Sequence, residues 1–137
     1  MDEHDFRRWI DGYERAWRSP GTAGLAELFT PDASYRHSPY AETISGLAAI
    51  ERDWEAERDS PDESFTMSAD VLAVNATDPV GPLGIAHVLV RYEDFTGHEY
   101  RDLWLVRFAP DGRAREFEEW PFWPGQGWHP EAESSPG

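Results

Sequence analysis

The chain has 137 residues, which is enough for one domain with its own hydrophobic core. It carries 12 Lys and Arg against 27 Asp and Glu, a formal net charge of -15, so phosphate backbones and anionic membrane surfaces are poor partners. Because there is no cysteine, disulfides, thiolate nucleophiles and thiolate metal sites are excluded. A hydrophobic content of 39% indicates a folded domain rather than a disordered acidic chain.

The N-terminal sequence MDEHDFRRW is charged and has no apolar run. No stretch reaches the ~18 apolar residues that a membrane helix needs. We therefore expect a cytoplasmic protein that binds neither nucleic acid nor membranes. Residues 1–4 are expected to be a flexible N-terminus, residues 5–124 the folded domain, and residues 125–137 a flexible acidic tail.

Three helices are predicted in the first half of the chain. Apolar residues with helical spacing form one stripe along residues 5–18. Thr22 is a plausible N-cap for a short second helix that ends at Phe29. Ser45 is a plausible N-cap for a third helix over residues 46–59.

Strands dominate the second half of the chain. Residues 30–32 are predicted to form a turn, and a short strand follows at 33–37. Helices followed by antiparallel strands indicate the α+β class. Three helices on one face of a curved, mostly antiparallel sheet would form a cone with an internal pocket. The other four predicted strands, joined as a meander, cover residues 65–74, 85–94, 99–109 and 113–123.

Alternation along the last two strands decides which side chains can meet. Asp102 and Trp104 share one face of their strand. Glu118 and Glu119 are neighbours, so they point to opposite faces unless a bulge intervenes, and Trp120 lies on the same face as Glu118. Alternation alone does not say which of the two glutamates points inward.

Known metal and nucleotide motifs are missing from the sequence. None of the five histidines has the close spacing of a metal-binding pair, and there is neither a Gly-x-Ser-x-Gly elbow nor a phosphate loop. We therefore expect no metal and no cofactor. The many Trp and Tyr residues suit a planar hydrophobic ligand rather than a sugar phosphate.

Three stretches carry a resemblance to a known group of proteins: YERAW with GLAELFTPDASY, the helix SGLAAIERDW, and the strand pair LWLVRFAPDGRAREF. Over residues 5 to 123 the chain resembles the nuclear transport factor 2-like superfamily, which includes the SnoaL-like polyketide cyclases and the ketosteroid isomerases. The resemblance implies a cone fold with a hydrophobic pocket. It also implies a homodimer formed through the convex face of the sheet, as in many relatives.

The ketosteroid isomerase pattern can be carried over residue by residue. Tyr13 falls where that family keeps its oxyanion-hole tyrosine. His37 falls where the family has its general-base aspartate, and Trp104 falls where a protonated aspartate donates a hydrogen bond. The same register places Phe117 and Glu119 on the concave face, with Glu118, Trp120 and Phe122 on the convex face.

These considerations predict a site with separate catalytic and ligand-binding groups. Burial among aromatic rings would raise the pKa values of both acids, Asp102 and Glu119, and their mutual repulsion would keep one of them protonated. His37 or Asp102 would be the base, and Tyr13 with Glu119 or the Trp104 N–H would stabilise an oxyanion. The predicted ligand-binding residues are Trp17, Tyr35, Trp54, Trp104 and Phe117.

Two functions remain open at this point. The first is a small-molecule enzyme that isomerises, cyclises or dehydrates a hydrophobic carbonyl compound without a cofactor. The alternative is a non-catalytic ligand-binding or dimeric accessory protein of the same fold. In that alternative the two acids would form salt bridges, for instance with Arg36 or Arg91.

Overall fold

The computed structural model describes residues 1–58, 64–93 and 97–126. Three helices pack on one six-stranded sheet, which confirms the α+β class. The sheet is open, and its strands lie in the order β2 (Ile44–Ser45), β1 (Phe29–Arg36), β6 (Ala114–Phe122), β5 (Glu99–Phe108), β4 (Leu83–Tyr92) and β3 (Phe65–Asn75). The edge strands are therefore β2 and β3. No helix in these three ranges is long and apolar enough to cross a membrane.

Helix α1 spans Glu3–Arg18 and lays its apolar stripe on the sheet. It begins two residues before the predicted start because Asp2 caps it: the Asp2 side chain accepts from the Asp5 backbone N–H, and Asp5 accepts from the Asp2 N–H. Two residues of the expected flexible N-terminus, Glu3 and His4, therefore belong to the first turn of this helix.

Helix α2 is shorter than predicted and spans Leu25–Leu28. Thr22 does not cap it; its hydroxyl donates instead to a Glu51 carboxylate oxygen at 3.1 Å. The N-cap position is held by Gly24, which makes no side-chain cap. The helix ends before Phe29 because strand β1 begins there.

Strand β1 spans Phe29–Arg36, so the prediction of a turn at residues 30–32 is wrong. It pairs in parallel with β6, and the register shifts between Phe29 and Ser34, so Pro31 lies in an irregular stretch where no regular ladder bond is needed. The parallel β1–β6 pair makes the sheet mixed.

Helix α3 spans Leu47–Glu57 and is preceded by the two-residue strand β2, Ile44–Ser45. The prediction that Ser45 caps this helix is wrong, because Ser45 pairs with Ser34 in the β1–β2 ladder. Gly46 takes the N-cap position instead, with a φ of 91° that favours glycine.

The remaining four strands form the predicted meander. Their bounds are Phe65–Asn75 for β3, Leu83–Tyr92 for β4, Glu99–Phe108 for β5 and Ala114–Phe122 for β6. Each pairs antiparallel with the next, with register shifts in β3–β4 and β5–β6 that bend the strands. Residues 94–96, between the predicted strands 85–94 and 99–109 and including the end of the first, lie outside the described residues, and most of the expected acidic tail lies outside them as well.

The core lies between the sheet and α1. Phe6 and Trp9 of α1 pack edge-to-face on Phe108 of β5, with ring centroids 5.7 and 5.8 Å apart. Gly84 of β4 allows this close packing, because a Cβ there would lie 2.6 Å from the Phe6 ring. This end of the molecule is filled with side chains, which leaves the other end for a cavity.

Candidate active site

A cavity of about 650 Å³ lies between the sheet, α1 and α3. Strands β5 and β6 form its floor, where Trp104 pairs with Glu119 and Asp102 pairs with Pro121. The predicted faces are confirmed here, since Asp102, Trp104 and Glu119 line the cavity. Trp120 donates to Glu118 at 3.4 Å on the opposite side of β6.

Asp102 is buried on the cavity floor and only partly satisfied. The residue is 7% exposed, and its Oδ2 accepts a hydrogen bond from the Trp104 indole N–H at 3.3 Å. Its Oδ1 has no hydrogen-bond partner among the described residues. Burial raises the pKa of Asp102 to about 6, although the Trp104 hydrogen bond and the nearby His37 act in the opposite direction.

Glu119 faces the same space with its side chain 19% exposed. The Tyr13 hydroxyl donates to its Oε2 at 3.3 Å. Burial, and next the negative charge of Asp102, raise the pKa of Glu119 to about 8, while hydrogen bonds from Tyr35 and Tyr13 partly oppose the rise. At neutral pH this acid is therefore mainly protonated, whereas Asp102 is mainly ionised.

Two tyrosine hydroxyls stand beside Glu119. The Tyr13 and Tyr35 oxygens lie 3.5 Å apart, and either hydroxyl can be the donor of the pair. Burial, followed by the charge of Glu119, raises the pKa of each tyrosine well above its usual value. Both phenols therefore remain protonated and serve as hydrogen-bond donors.

His37 follows β1 and is held by a residue that sequence reasoning missed. Its Nε2 lies 3.0 Å from Asp53 Oδ2, and its Nδ1 lies 3.8 Å from Glu119 Oε1. Asp53 is on α3, directly before the buried Trp54. In the sequence, only one feature indicated a role for Asp53: it lies at the border between the apolar and charged faces of the helix.

One group in the described chain has the donor atoms for a metal ion. His37, Asp53 and Glu57 each offer one ligand atom, and these atoms all lie within 4.8 Å of one another. The hydrogen bond between His37 and Asp53 accounts for most of this proximity. That the protein uses no metal stays a prediction.

Four of the five predicted ligand-binding rings line the cavity: Trp17, Tyr35, Trp54 and Trp104. Phe117 does not line it. This ring is 1% exposed and packs behind the floor, with its centroid 5.1 Å from Trp104 and 5.5 Å from Tyr13. Its position on the inner face was correctly predicted, but α1 covers it there.

Among the described residues, Asp102 and Glu119 do not form the salt bridges with arginine that the alternative function would require. Arg36 donates to the Thr43 hydroxyl at 2.7 Å, and Arg91 pairs with Glu99. The described ion pairs include none between an arginine and either Asp102 or Glu119.

Neither protein-family models nor curated proteins match the chain by sequence. Solved structures do match it. The epoxide hydrolase/cyclase-like enzyme SalBIII, which has a role in pyran ring formation in the polyether salinomycin, is 12% identical, with a TM-score of 0.65 over 88% of this chain and 93% of its own. A ketosteroid isomerase-like protein from Erwinia carotovora atroseptica is 14% identical, with a TM-score of 0.60 over 88% of this chain and 92% of its own.

The CaMKII hub of S. rosetta is 15% identical, with a TM-score of 0.62 over 87% of this chain and 95% of its own. The chain has the nuclear transport factor 2-like fold. At these identities the likeness concerns the fold alone.

Within the nuclear transport factor 2-like fold, three positions were carried over from the ketosteroid isomerases, and all three line the cavity: Tyr13, His37 and Trp104. The Trp104 N–H already donates a hydrogen bond to Asp102, so it is a poor donor to a ligand. A carboxyl group with a raised pKa stands directly across the β5–β6 ladder from it, at Glu119.

Proposed function

We propose that this chain is an enzyme that uses cofactor-free acid–base chemistry on a hydrophobic carbonyl compound. The reaction would be an isomerisation, cyclisation or dehydration. One observation carries the proposal: Asp102 and Glu119 face one cavity without an arginine partner among the described residues, with pKa values raised to about 6 and about 8. Titratable pairs with separated pKa values are typical of acid–base sites.

The roles follow from the protonation states. Ionised Asp102 takes a proton from the carbon next to the carbonyl group, and the electron pair moves onto the carbonyl oxygen. Protonated Glu119 donates a hydrogen bond to that oxygen, and Tyr13 holds Glu119 in place through its own hydrogen bond. Returning the proton from Asp102 to another carbon completes an isomerisation.

His37 is the second candidate for the base. Because Asp53 is hydrogen-bonded to His37 Nε2, the Nδ1 atom of His37 faces Glu119 and the cavity. This arrangement would fix the ring orientation and favour one tautomer. The two candidates differ in consequence, because His37→Ala abolishes proton abstraction only if the histidine is the base.

The structural neighbours support the chemistry in general terms. SalBIII is described as an epoxide hydrolase/cyclase-like enzyme, and another neighbour as ketosteroid isomerase-like. Both descriptions fit an acid and a base placed across a hydrophobic cavity. The cytoplasmic location expected from the sequence stays a prediction.

The test is a thermal-shift screen with planar ketones, phenols, steroids and polyketide-like acids, followed by deuterium exchange. A ligand that binds only the folded state raises the apparent stability. For each ketone that binds, NMR in D₂O measures exchange at the carbon next to the carbonyl. We expect exchange that rises with pH through about 6 and falls through about 8.

Matched variants decide the outcome of this test. Asp102→Asn and Glu119→Gln should lose the exchange, whereas Glu118→Gln should retain it. Binding without exchange in the parent protein would overturn the enzymatic proposal. Exchange that survives in Asp102→Asn but disappears in His37→Ala would move the base to His37.

A dimeric accessory protein is the second candidate, and the outer face of the sheet favours it. Phe122 is 49% exposed on that face, where Leu103, Leu105 and Trp120 are only half-buried. An apolar sheet face of this kind suits a homodimer interface. One structurally similar protein is described as a hub, which supports a role of this chain as a dimeric accessory protein.

Size-exclusion chromatography with light scattering tests the dimer. We expect a dimer in the parent protein and a monomer in Phe122→Glu. Tyr40→Glu is the control, because Tyr40 is fully exposed and lies outside the strands. A monomeric parent protein would contradict the dimer and leave the enzymatic proposal intact.

A further inference from the structure

The charged groups around the cavity are almost all of one sign. Five of the lining residues carry carboxyl groups, and two carry imidazoles. No lysine or arginine is among the described residues that line it. An anionic ligand would meet repulsion there and no arginine or lysine partner.

Aromatic rings surround these acids. Eight Trp, Tyr and Phe rings line the cavity, among them Trp17, Trp54 and Trp104. The faces of such rings attract cations, by ~0.5–1 kcal/mol when exposed and ~2 kcal/mol or more when shielded from water. Rings interleaved with carboxylates are the surroundings that an organic cation prefers.

The protein's own cations show this property of the rings. The Arg58 guanidinium lies 5.1 Å from the centre of the Trp17 ring and 5.9 Å from that of Trp54. It is held there by the Gly21 carbonyl at 3.0 Å and by Glu55, and it does not line the cavity. Arg18 likewise lies 4.1 Å from the centre of the Phe65 ring.

An unpartnered acceptor on the cavity floor is a second, independent observation. Asp102 is 7% exposed, and its Oδ1 accepts no hydrogen bond from any described residue. A buried carboxylate oxygen without a partner costs stability. A ligand that brings a positive charge close to the Asp102 carboxylate would offset that cost.

We propose that the ligand of this cavity is an organic cation: an amine, a quaternary ammonium group or a protonated nitrogen heterocycle on an apolar body. The inference rests on the proposed function in one respect, namely that the same cavity is the ligand site. It narrows the substrate class to hydrophobic carbonyl compounds that carry a basic nitrogen. Carboxylic acids and phosphate esters are disfavoured.

Three probes with the same naphthyl group and different charge test the inference on the unmodified protein. They are naphthylethyl-trimethylammonium, its neutral isostere in which carbon replaces nitrogen, and naphthylpropanoate, each with the same added hydroxyl group for solubility. Affinity is measured at pH 7 and fixed ionic strength from quenching of tryptophan fluorescence. We expect the cation to bind at least about tenfold more tightly than the neutral isostere, and the anion to bind least.

Two variants that each remove one negative charge test whether Asp102 is the group that attracts the cation. Asp102→Asn should weaken binding of the cation by about tenfold and change binding of the neutral isostere by less than about twofold. Asp70→Asn is the control, because Asp70 is an exposed residue of β3 that does not line the cavity. It removes the same charge from the protein and should leave the cation's affinity unchanged.

The outcomes separate this inference from the enzymatic proposal. Equal or tighter binding of the neutral or anionic probe overturns the charge preference but leaves the acid–base proposal standing. Failure of all three probes to bind also overturns the preference, since the cavity is large enough for a naphthyl ring. Preference for the cation in a protein that exchanges no substrate protons supports the inference while overturning the enzyme.

Discussion

Glu118 and Glu119 are identical side chains on adjacent positions of β6, yet they lie in different environments. Glu118 is on the outer face, where it accepts a hydrogen bond from the Trp120 indole N–H. Glu119 is on the inner face, across the ladder from Trp104 and close to two phenols, and its pKa is raised to about 8. Burial and the neighbouring charge, rather than the residue type, decide which glutamate is a candidate acid.

The tryptophans of the two faces differ in the same way. Trp104 on the inner face is 1% exposed and contacts rings from α1 and β6, whereas Trp120 on the outer face is half-buried. The inner face thus combines packing with the carboxyl groups of the cavity floor, while the outer face leaves apolar side chains partly exposed. Four predictions test how far this contrast extends.

The largest effect is expected on stability at Trp104. Trp104→Ala removes a fully buried ring from the floor of the cavity, so we expect it to lower the free energy of unfolding by about 3–5 kcal/mol. Urea unfolding followed by circular dichroism measures this. The matched outer-face variant, Trp120→Ala, should cost about 1 kcal/mol. Equal losses would mean that the two faces are packed alike.

The next effect concerns stability against pH. The raised pKa of Glu119 means that the folded state holds a proton that the unfolded state has released above about 4.5. Stability from this group is therefore present below about pH 4.5 and lost as the pH rises through about 8. The whole effect is on the order of 5 kcal/mol, of which roughly 3 kcal/mol is lost above pH 5.5. Asp102 acts in the same direction at lower pH, up to about 6.

Unfolding measured between pH 5.5 and 8.5 tests this loss. Glu119→Gln cannot ionise, so its stability should fall less steeply with pH than that of the parent protein. Glu118→Gln should keep the parent's slope, because its carboxyl is on the other face. Parallel curves for the parent and Glu119→Gln would show that Glu119 is solvated rather than buried.

The third prediction is that Glu119 and Glu118, although adjacent, differ in their effect on the rate of proton exchange. With a ketone identified in the screen, Glu119→Gln should slow proton exchange by about 100-fold, because general acid catalysis and oxyanion stabilisation are each worth about that much. Glu118→Gln should stay within about twofold of the parent. If both variants slowed exchange equally, the effect would come from the fold and not from the site.

The smallest effect is expected at Asp53, which would act through His37. Asp53→Asn keeps the size of the side chain but weakens the hydrogen bond to His37 Nε2. If His37 is the base, exchange should slow about tenfold, and if Asp102 is the base, the rate should stay within about twofold of the parent. In a double-mutant cycle with His37→Ala, the Asp53 change should have little further effect. Full additivity would show that Asp53 does not position the histidine.

Much of the fold could be predicted from local patterns. The stripe of α1 and the four meander strands follow from apolar periodicity, and their bounds agree within a few residues with Glu3–Arg18 and with β3 to β6. The errors lie where tertiary pairing overrides local preference. Ser45 pairs in β2 and Phe29 belongs to β1, although the sequence predicted Ser45 as a helix cap and Phe29 as the end of a helix.

Several residues that line the cavity were predictable from the sequence, whereas their contacts were not. Alternation placed Asp102 with Trp104, and the family register put Glu119 on the same side. Asp53 was missed because its partner His37 is 16 residues away and on another element. Phe117 was assigned to the lining because the family register gives the face of a strand, but not whether a helix covers that position.

By itself the sequence determined the class of fold, the strong negative charge and the alternation that separates Glu118 from Glu119. These depend on composition and on periods of two and 3.6 residues, which are local properties of the chain. Only the tertiary structure decided that the two acids share a cavity without an arginine from the described chain, and that Asp53 holds His37. Desolvation and charge coupling depend on distances between elements far apart in sequence, so the pKa values of the site are properties of the folded protein.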